Sequence, residues 1–230
     1  MLYIIKLLVL FIAIAFSSCV TSNPTVKLSS EDQQAKWLMG QQYSEYKSDN
    51  NIKVLVSYYK SEANRLIFNV EFDNQSGAPF LVDASKFYLV GYDFYGNILD
   101  TVRAINPENQ LLKLDMDIEG TRVAQANQER SNVIGSAIDV VVADELRENE
   151  LALNRDRISF IRNTESALRM NRQYWEESTL RKTDLENLQY INGMVYISPI
   201  TTASRYDLCI SLGNDLRTAV FKFRQQVFYP

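Results

Sequence analysis

The side chains that could do chemistry in this chain of 230 residues are carboxylates, lysines, tyrosines and two cysteines, because the sequence contains no histidine. Histidine is the commonest general base near neutral pH and a common ligand of zinc. Its absence excludes hydrolases that depend on a Ser-His-Asp or Cys-His arrangement, and it excludes histidine-ligated zinc. An enzyme built from this chain would depend on carboxylates, lysine or tyrosine alone.

Two groups of carboxylates suggest specific chemistry. Asp115 to Gly120 (DMDIEG) places oxygen donors at alternate positions, as at the start of a calcium loop, but Ala126 stands where that loop needs a bidentate carboxylate. The favoured interpretation is the acidic start of a helix. The adjacent Glu176 and Glu177 would suit a carboxylate-based hydrolase such as a glycosidase, although neighbouring side chains diverge on a helix. The sequence predicts no metal site and no cofactor.

The first residues of the chain carry its most specific motif. Lys6 precedes an unbroken apolar run from Leu7 to Phe16. The run is followed by Ser17, Ser18 and Cys19. A positive charge, a short apolar run and then small residues are typical of a secretion signal. A membrane-spanning helix needs about twenty apolar residues, and this run is shorter.

The segment Phe16 to Cys19 (FSSC) resembles the cleavage box of bacterial lipoproteins, in which small residues precede a cysteine that becomes lipidated and then forms the mature N-terminus. The resemblance implies a signal peptide over residues 1–18, and a thioether-linked diacylglycerol and an acylated amine on Cys19. The alternative is a plain signal peptide cut near an incidental cysteine. Val20 stands where some bacteria use aspartate to retain lipoproteins in the inner membrane. Attachment to the outer membrane is therefore favoured, with the leaflet left open.

Composition limits the partners of the chain. Acidic residues outnumber basic residues by 28 to 24, which argues against a nucleic-acid partner. Acylation of Cys19 would leave Cys209 without an intramolecular partner, which excludes a disulfide framework. Cys209 lies within the segment Tyr206 to Leu212 and is predicted to pack as a small buried hydrophobe. The polar residues 19–30 are predicted to form a flexible tether.

Residues 31–230 are predicted to form one domain with a single core. At its start, Ser30 to Gln33 (SEDQ) fits a helix-capping box, which predicts a short N-terminal helix to about Tyr43. Apolar and polar residues then alternate, which predicts strands. These strands are expected at Ile52 to Tyr58, Leu66 to Asp73, Phe80 to Val82, Lys86 to Asp93, Ile98 to Ala104 and Gln110 to Leu114.

The strand pattern disappears between residues 116 and 177, where apolar residues recur at helical spacing and proline is absent. Two helices are predicted, the second from about Asn154. The early carboxylates of this insertion are expected to complement its late arginines across a helical hairpin; they are Asp139, Asp144, Glu145, Glu148 and Glu150, against Arg155, Arg157, Arg162, Arg169 and Arg172. Strand alternation returns at Thr179 to Thr183, Ile191 to Ile197, Tyr206 to Leu212 and Ala219 to Phe228.

These patterns together predict an α+β fold, an antiparallel β-sandwich with strands in about 50–115 and 178–228 and an inserted helical hairpin over about 116–177. The arrangement resembles small bacterial lipoproteins that have an immunoglobulin-like sandwich and no assigned activity. The resemblance implies the fold and the cellular address, supplies no catalytic residues, and does not extend to the insertion. It is carried by Leu66 to Pro79 (a strand, then Asn-x-Ser-x-x-Pro), Asp93 to Gly96, Leu180 to Leu185, Gly193 to Tyr196 and Val220 to Phe223.

Two surfaces are candidates for binding. Tyr88, Tyr92 and Tyr95 would stack on sugar rings if they formed an exposed row. The basic stretch Arg155 to Lys182 would suit anionic headgroups or another protein, although ion pairs with the acidic segment before it explain the stretch more simply.

The leading hypothesis from the sequence is a non-enzymatic protein of the bacterial envelope. It would be anchored in the membrane through lipid on Cys19, and it would bind or scaffold a neighbouring envelope protein through the helical insertion. A glycan-binding module that uses exposed aromatic residues is the alternative. A carboxylate-based hydrolase is the third hypothesis.

Overall fold

The computed structural model describes residues 25–138, 144–213 and 217–228. Two long helices, α1 Pro107–Ile138 and α2 Asp144–Ser178, separate eight strands from four later ones in these residues, and Ala84–Lys86 form a short 3-10 turn. The strands are β1 Thr25–Ser30, β2 Lys36–Leu38, β3 Gln41–Lys47, β4 Ile52–Glu62, β5 Arg65–Asn74, β6 Phe80–Val82, β7 Tyr88–Tyr92, β8 Ile98–Arg103, β9 Thr183–Leu185, β10 Tyr190–Ile197, β11 Arg205–Ser211 and β12 Thr218–Phe228.

The strands form two five-stranded sheets and one two-stranded sheet, and the paired strands run antiparallel. The first sheet, sheet A, has the order β1-β12-β11-β7-β8. The second, sheet B, has the order β10-β5-β4-β3-β2. Strands β6 and β9 make the small third sheet. The predicted α+β class is therefore confirmed, as are strands before and after a helical insertion.

One apolar core joins the two large sheets. Strand β5 shows why the chain folds this way, because Leu66, Phe68, Val70 and Phe72 occupy every second position and are all buried in this core, while the residues between them face the other side of the sheet. Phe68 of sheet B meets Phe223 of sheet A, with 5.2 Å between the ring centroids. The alternation over Leu66 to Asp73 thus correctly predicted both a strand and its buried face.

The predicted N-terminal helix from Ser30 to about Tyr43 is wrong, because β2 and β3 occupy this segment. The Ser30 hydroxyl accepts a hydrogen bond from the Asp32 amide at 3.0 Å, and the Asp32 carboxylate accepts one from the Gln34 amide at 2.9 Å. The residues that fit a capping box therefore cap a turn, a structure that uses the same side-chain chemistry. The second half of the predicted tether is also a strand, since β1 pairs with β12.

The helical insertion starts earlier than predicted. Residues Gln110 to Leu114, predicted as a strand, lie in α1, which begins at Pro107. The Asn106 side-chain oxygen accepts a hydrogen bond from the Glu108 amide at 2.9 Å, and proline is favoured at the first helical position. This Asn-Pro-Glu start overrides a short alternating pattern that by itself is compatible with a strand.

The charges of the hairpin are also distributed differently. Helix α2 begins at Asp144 and not near Asn154, so four of the five early carboxylates lie on the same helix as the arginines. They cannot form the predicted complementary partner helix, and Asp139 lies outside the described residues.

The strand predicted at Thr179 to Thr183 begins later than expected. Thr179 makes a single bridge to Met194, and the observed strand, β9, starts at Thr183.

Candidate functional site

The root of the helical hairpin is an apolar cluster on the outer face of sheet B. It contains Ile67 of β5, Tyr196 of β10, Leu111 and Leu114 of α1, and Trp175 of α2. Trp175 stacks on Tyr196 with 4.6 Å between the ring centroids. Because Leu111 and Leu114 lie one turn apart on α1, helical spacing brings both against the sheet. This cluster attaches both helices to the same two strands.

Ion pairs surround this apolar root. The Arg181 guanidinium donates two hydrogen bonds to the Glu108 carboxylate, at 3.0 and 2.6 Å. Arg172 of α2 donates to Asp115 of α1 at 2.5 Å and to Glu176 on its own helix at 2.6 Å. The start of α1 and the segment after α2 are therefore bound to each other, and a second pair joins the helices farther along. A bidentate arginine–carboxylate pair fixes geometry as well as charge.

The backbone forms a third part of the root. The Ile105 amide donates to the Tyr196 carbonyl at 2.8 Å just before α1, and the Leu180 amide donates to the Met194 carbonyl at 3.0 Å just after α2. The chain can come this close only because residue 193 is glycine. A Cβ atom there would lie 2.5 Å from the Leu180 nitrogen. The hairpin thus leaves and rejoins the domain along one strand.

Acid is expected to weaken this root. The Arg181 guanidinium holds the pKa of Glu108 below its ordinary value of 4.5. A carboxyl group with a lowered folded-state pKa stabilises the protein above its unfolded pKa, and this contribution disappears as the pH falls through the folded pKa. Urea unfolding of wild type on either side of pH 4.5 should therefore show a loss of stability in acid.

The matched test of this acid effect is a pair of carboxamide variants. Glu108→Gln should weaken the pH dependence, since it removes the titrating group. Glu119→Gln should leave it as in wild type, because Glu119 is exposed and its ion pair is with Arg122 on its own helix. Equal pH profiles for Glu108→Gln and wild type would contradict a role for this pair.

Above the root, the two helices enclose an exposed apolar groove, which we call the hairpin groove. Its volume is about 490 Å³. Met116 of α1 and Phe160 of α2 are 67% and 72% exposed and stand beside it. The α1 side of the groove also includes the small residues Gly120, Thr121 and Ala124. The other lining residues are Asp117, Ile161, Thr164 and Leu168.

Neither acidic motif has the surroundings that the chemistry considered for it would need. Asp115 to Gly120 is a continuous part of α1, so its carboxylates do not line a loop. Glu176 pairs with Arg172, and Glu177 accepts a hydrogen bond from Gln173 on the same helix. In the ranges 25–138, 144–213 and 217–228, no group of three or more potential ligand side chains could hold a metal ion.

The three candidate tyrosines do not form an exposed row. The Arg205 guanidinium lies 4.5 Å from the Tyr92 ring centroid, and the Tyr92 hydroxyl donates to the buried Asp207 at 3.1 Å. Tyr88 lies opposite Cys209, and their hydrogen bond raises the pKa of the Tyr88 hydroxyl. Only Tyr95 is widely open to solvent. These three side chains therefore do not provide the exposed row that sugar stacking would need.

The second cysteine is buried, as predicted. Cys209 is a free thiol on β11, and burial raises its pKa. A buried thiol with a raised pKa is a poor nucleophile, so Cys209 packs as a hydrophobe. Cys19, the predicted lipidation site, lies outside the described residues.

Two exposed apolar turns were not predicted as binding surfaces from the sequence, apart from Tyr95 as a candidate for sugar stacking. The first, the β2–β3 tip, consists of Trp37, Leu38 and Met39. The second, the β7–β8 tip, consists of Phe94, Tyr95 and Ile98. Both sets are exposed. The sequence contained a usable signal, because Met39-Gly40 and Tyr95-Gly96 are turn sequences flanked by large apolar residues. In the structure, both glycines have the positive φ that such turns need.

Comparisons with known proteins give no relative for this chain: no family model, no curated protein and no solved structure matches it. Among the helices of the described residues, neither α1 nor α2 contains a stretch that is long and apolar enough to cross a membrane.

Proposed function

We propose that this protein is a non-enzymatic binding or scaffolding protein of the bacterial envelope that is anchored by lipid on Cys19 and presents its helical hairpin to a neighbouring envelope protein. The two large sheets with their shared core would be the platform, as an immunoglobulin-like sandwich. The anchor is supported by the segment Phe16 to Cys19, in which small residues precede the cysteine after an apolar run.

The observation that carries the proposal is the hairpin groove on a firmly attached hairpin. Large apolar side chains scattered singly on a surface are ordinary, but a groove with Met116 and Phe160 exposed on both sides is a contiguous apolar site. Its partner would insert an apolar side chain or helix face, as in recognition of a helix in a groove.

The attachment of the hairpin supports the same conclusion. Apolar contacts, ion pairs and backbone hydrogen bonds all hold its root. A partner that binds a surface already fixed in place loses less conformational entropy on binding. A root with three kinds of contact is therefore suited to presenting the groove in one orientation.

Photocrosslinking in cells tests this function. p-Benzoylphenylalanine would replace Phe160 in one strain and Tyr190 in a control strain, since both side chains are exposed and only Phe160 lines the groove. We expect a recurring crosslinked protein from position 160 and none from position 190. The mass of the mature N-terminus, compared with Cys19→Ala, would report acylation.

Three results would contradict the proposal. Identical crosslinked proteins from positions 160 and 190 would show that the groove is not a specific site. An unacylated chain released from the membrane fraction would remove the anchor. Crosslinks at position 160 that persist in Met116→Asp would also count against the groove, because a charge there should disrupt an apolar contact.

A further inference from the structure

The two tips expose an unusual amount of apolar surface. In the β2–β3 tip, Trp37 is 68% exposed and Met39 97% exposed. In the β7–β8 tip, Phe94 and Tyr95 are each 87% exposed, and their rings meet edge to face at 5.8 Å. Neither tip contributes to the domain core. Removal of large apolar side chains from water is favourable, so these exposed side chains can contribute to binding.

In sheet A, the β7–β8 tip lies at the end where β1 begins. Arg205 of β11 stands opposite both Arg224 of β12 and Tyr92 of β7. From this level β12 continues to Phe228, which pairs with Thr25, the first residue of β1. The chain leaves β7 in the same direction to form the tip. Thr25 and Phe94 therefore lie at one end of the sheet.

In sheet B, the β2–β3 tip lies at this same end. Asp49, in the turn after β3, is 3.9 Å from Arg217, in the turn between β11 and β12. That turn is at the opposite end of sheet A from Phe228. The other end of β3, which carries the β2–β3 tip, must therefore point towards the end that holds Thr25 and Phe94.

The anchor limits how far this end can lie from the membrane. Six residue steps separate Cys19 from Thr25. A fully extended chain spans at most about 3.6 Å per residue, which places Thr25 within about 22 Å of an acylated Cys19. This step rests on the lipid anchor of the proposed function. The end of the domain that carries both tips is then the end nearest the bilayer.

We infer that the two tips dock into the interfacial region of the bilayer that holds the acyl chains of Cys19. Tryptophan and tyrosine are favoured at this depth, where rings are buried among headgroups and polar atoms still reach water. Two tips on different sheets, together with the anchor, would fix the tilt of the domain and hence the direction in which the hairpin groove is presented.

The backbone of the β7–β8 tip suits such a location. The Asp93 carboxylate accepts hydrogen bonds from the Tyr95 and Asn97 amides, both at 2.8 Å. The Gly96 amide donates to the Asp93 carbonyl at 3.2 Å. Turn amides that are already bonded within the protein cost less to transfer out of water. The tip thus presents apolar rings on a largely satisfied backbone.

Tryptophan quenching tests the docking, because the chain has two tryptophans in contrasting places. The acylated full-length chain would be reconstituted in vesicles of phosphatidylethanolamine and phosphatidylglycerol with brominated acyl chains. In Trp175→Phe, emission from Trp37 should fall about twofold relative to vesicles without bromine, as for a ring at the interface. In Trp37→Phe, the buried Trp175 should keep its emission.

Two further reporters control for position and exposure in a chain that lacks both native tryptophans. Phe94→Trp should be quenched. Tyr190→Trp should not, although Tyr190 is 72% exposed, because it pairs with Asp73 towards the opposite end of sheet B. Equal quenching of the two reporters, or an unquenched Trp37 in an acylated chain, would overturn the docking alone. An unacylated N-terminus, measured by mass on the same sample, would overturn the anchor and the docking together.

Discussion

Gly193→Ala is expected to lower the free energy of unfolding by about 3 kcal/mol, the upper part of the range for overpacked interiors. The added Cβ would lie 2.5 Å from the Leu180 nitrogen and 2.8 Å from the Thr179 carbonyl carbon. These are backbone atoms and cannot rotate away as a side chain would. Relief would require the chain after α2 to move off β10, with loss of the bond from Leu180 to Met194. Urea unfolding followed by circular dichroism would measure the change.

Gly120→Ala is the matched control for this substitution. Gly120 lies in α1, and among the described residues no atom beyond its own turns of helix lies within 4 Å of the position its Cβ would take. Alanine is favoured over glycine within a helix by about 1 kcal/mol. The same chemical change should therefore stabilise the protein at position 120 and destabilise it at position 193. A neutral result at 193 would show that the chain after α2 is not held against β10.

Trp175→Ala is expected to cost about 3–5 kcal/mol, as for other buried tryptophans. The indole is 3% exposed, stacks on Tyr196 and has the Arg65 guanidinium 5.7 Å from its ring centroid. Its removal would leave a cavity between α2 and sheet B and expose Ile67. Amide hydrogen exchange should accelerate in the first turns of α1 as well as in α2, because both helices share the cluster.

Phe160→Ala separates stability from binding. Phe160 lies on the same helix but is 72% exposed, so the substitution should change the free energy of unfolding by less than about 0.5 kcal/mol. It should nevertheless reduce copurification of the partner that crosslinks at position 160. A loss of stability at Phe160 similar to that at Trp175 would show that the groove belongs to the core and not to a binding surface.

The strands of this protein were predictable because two-residue alternation carries both the structure and the buried face. Residues 66–73 gave the correct strand and the correct apolar side. Gly193 was visible in the sequence as part of a strand motif, but its reason was not. A glycine that admits a neighbouring chain has the same local signature as any other glycine in a strand.

Helix starts were harder to predict, because capping chemistry is shared between helices and turns. Ser30 and Asp32 fit a helix start and instead close a turn between two strands. Asn106 and Pro107 marked the true start of α1, where a few alternating residues beyond them suggested a strand. Local hydrogen-bonding preferences identify an end of an element, and contacts distant in sequence decide which element follows.

The candidate sites depend on contacts that no local pattern contains. The pair of Glu108 and Arg181 joins the first turn of α1 to the segment after α2, 73 residues farther along the chain. The hairpin groove needs the register of α1 against α2, which sequence periodicity does not supply. Exposure of the two tips likewise depends on the arrangement of the sheets. Sequence patterns indicated aromatic residues but did not show which of them face solvent.

The attachment of the hairpin has a consequence for assembly as well as for binding. Strand β10 is the outermost strand of sheet B, and such a strand presents unpaired backbone groups that can recruit strands from other molecules. The amides of Ile105 and Leu180 occupy the β10 carbonyls at Tyr196 and Met194. Those two carbonyls are therefore closed to an incoming strand. The chain that leads into and out of the insertion thus protects this stretch of the edge of sheet B from edge-to-edge pairing with another molecule.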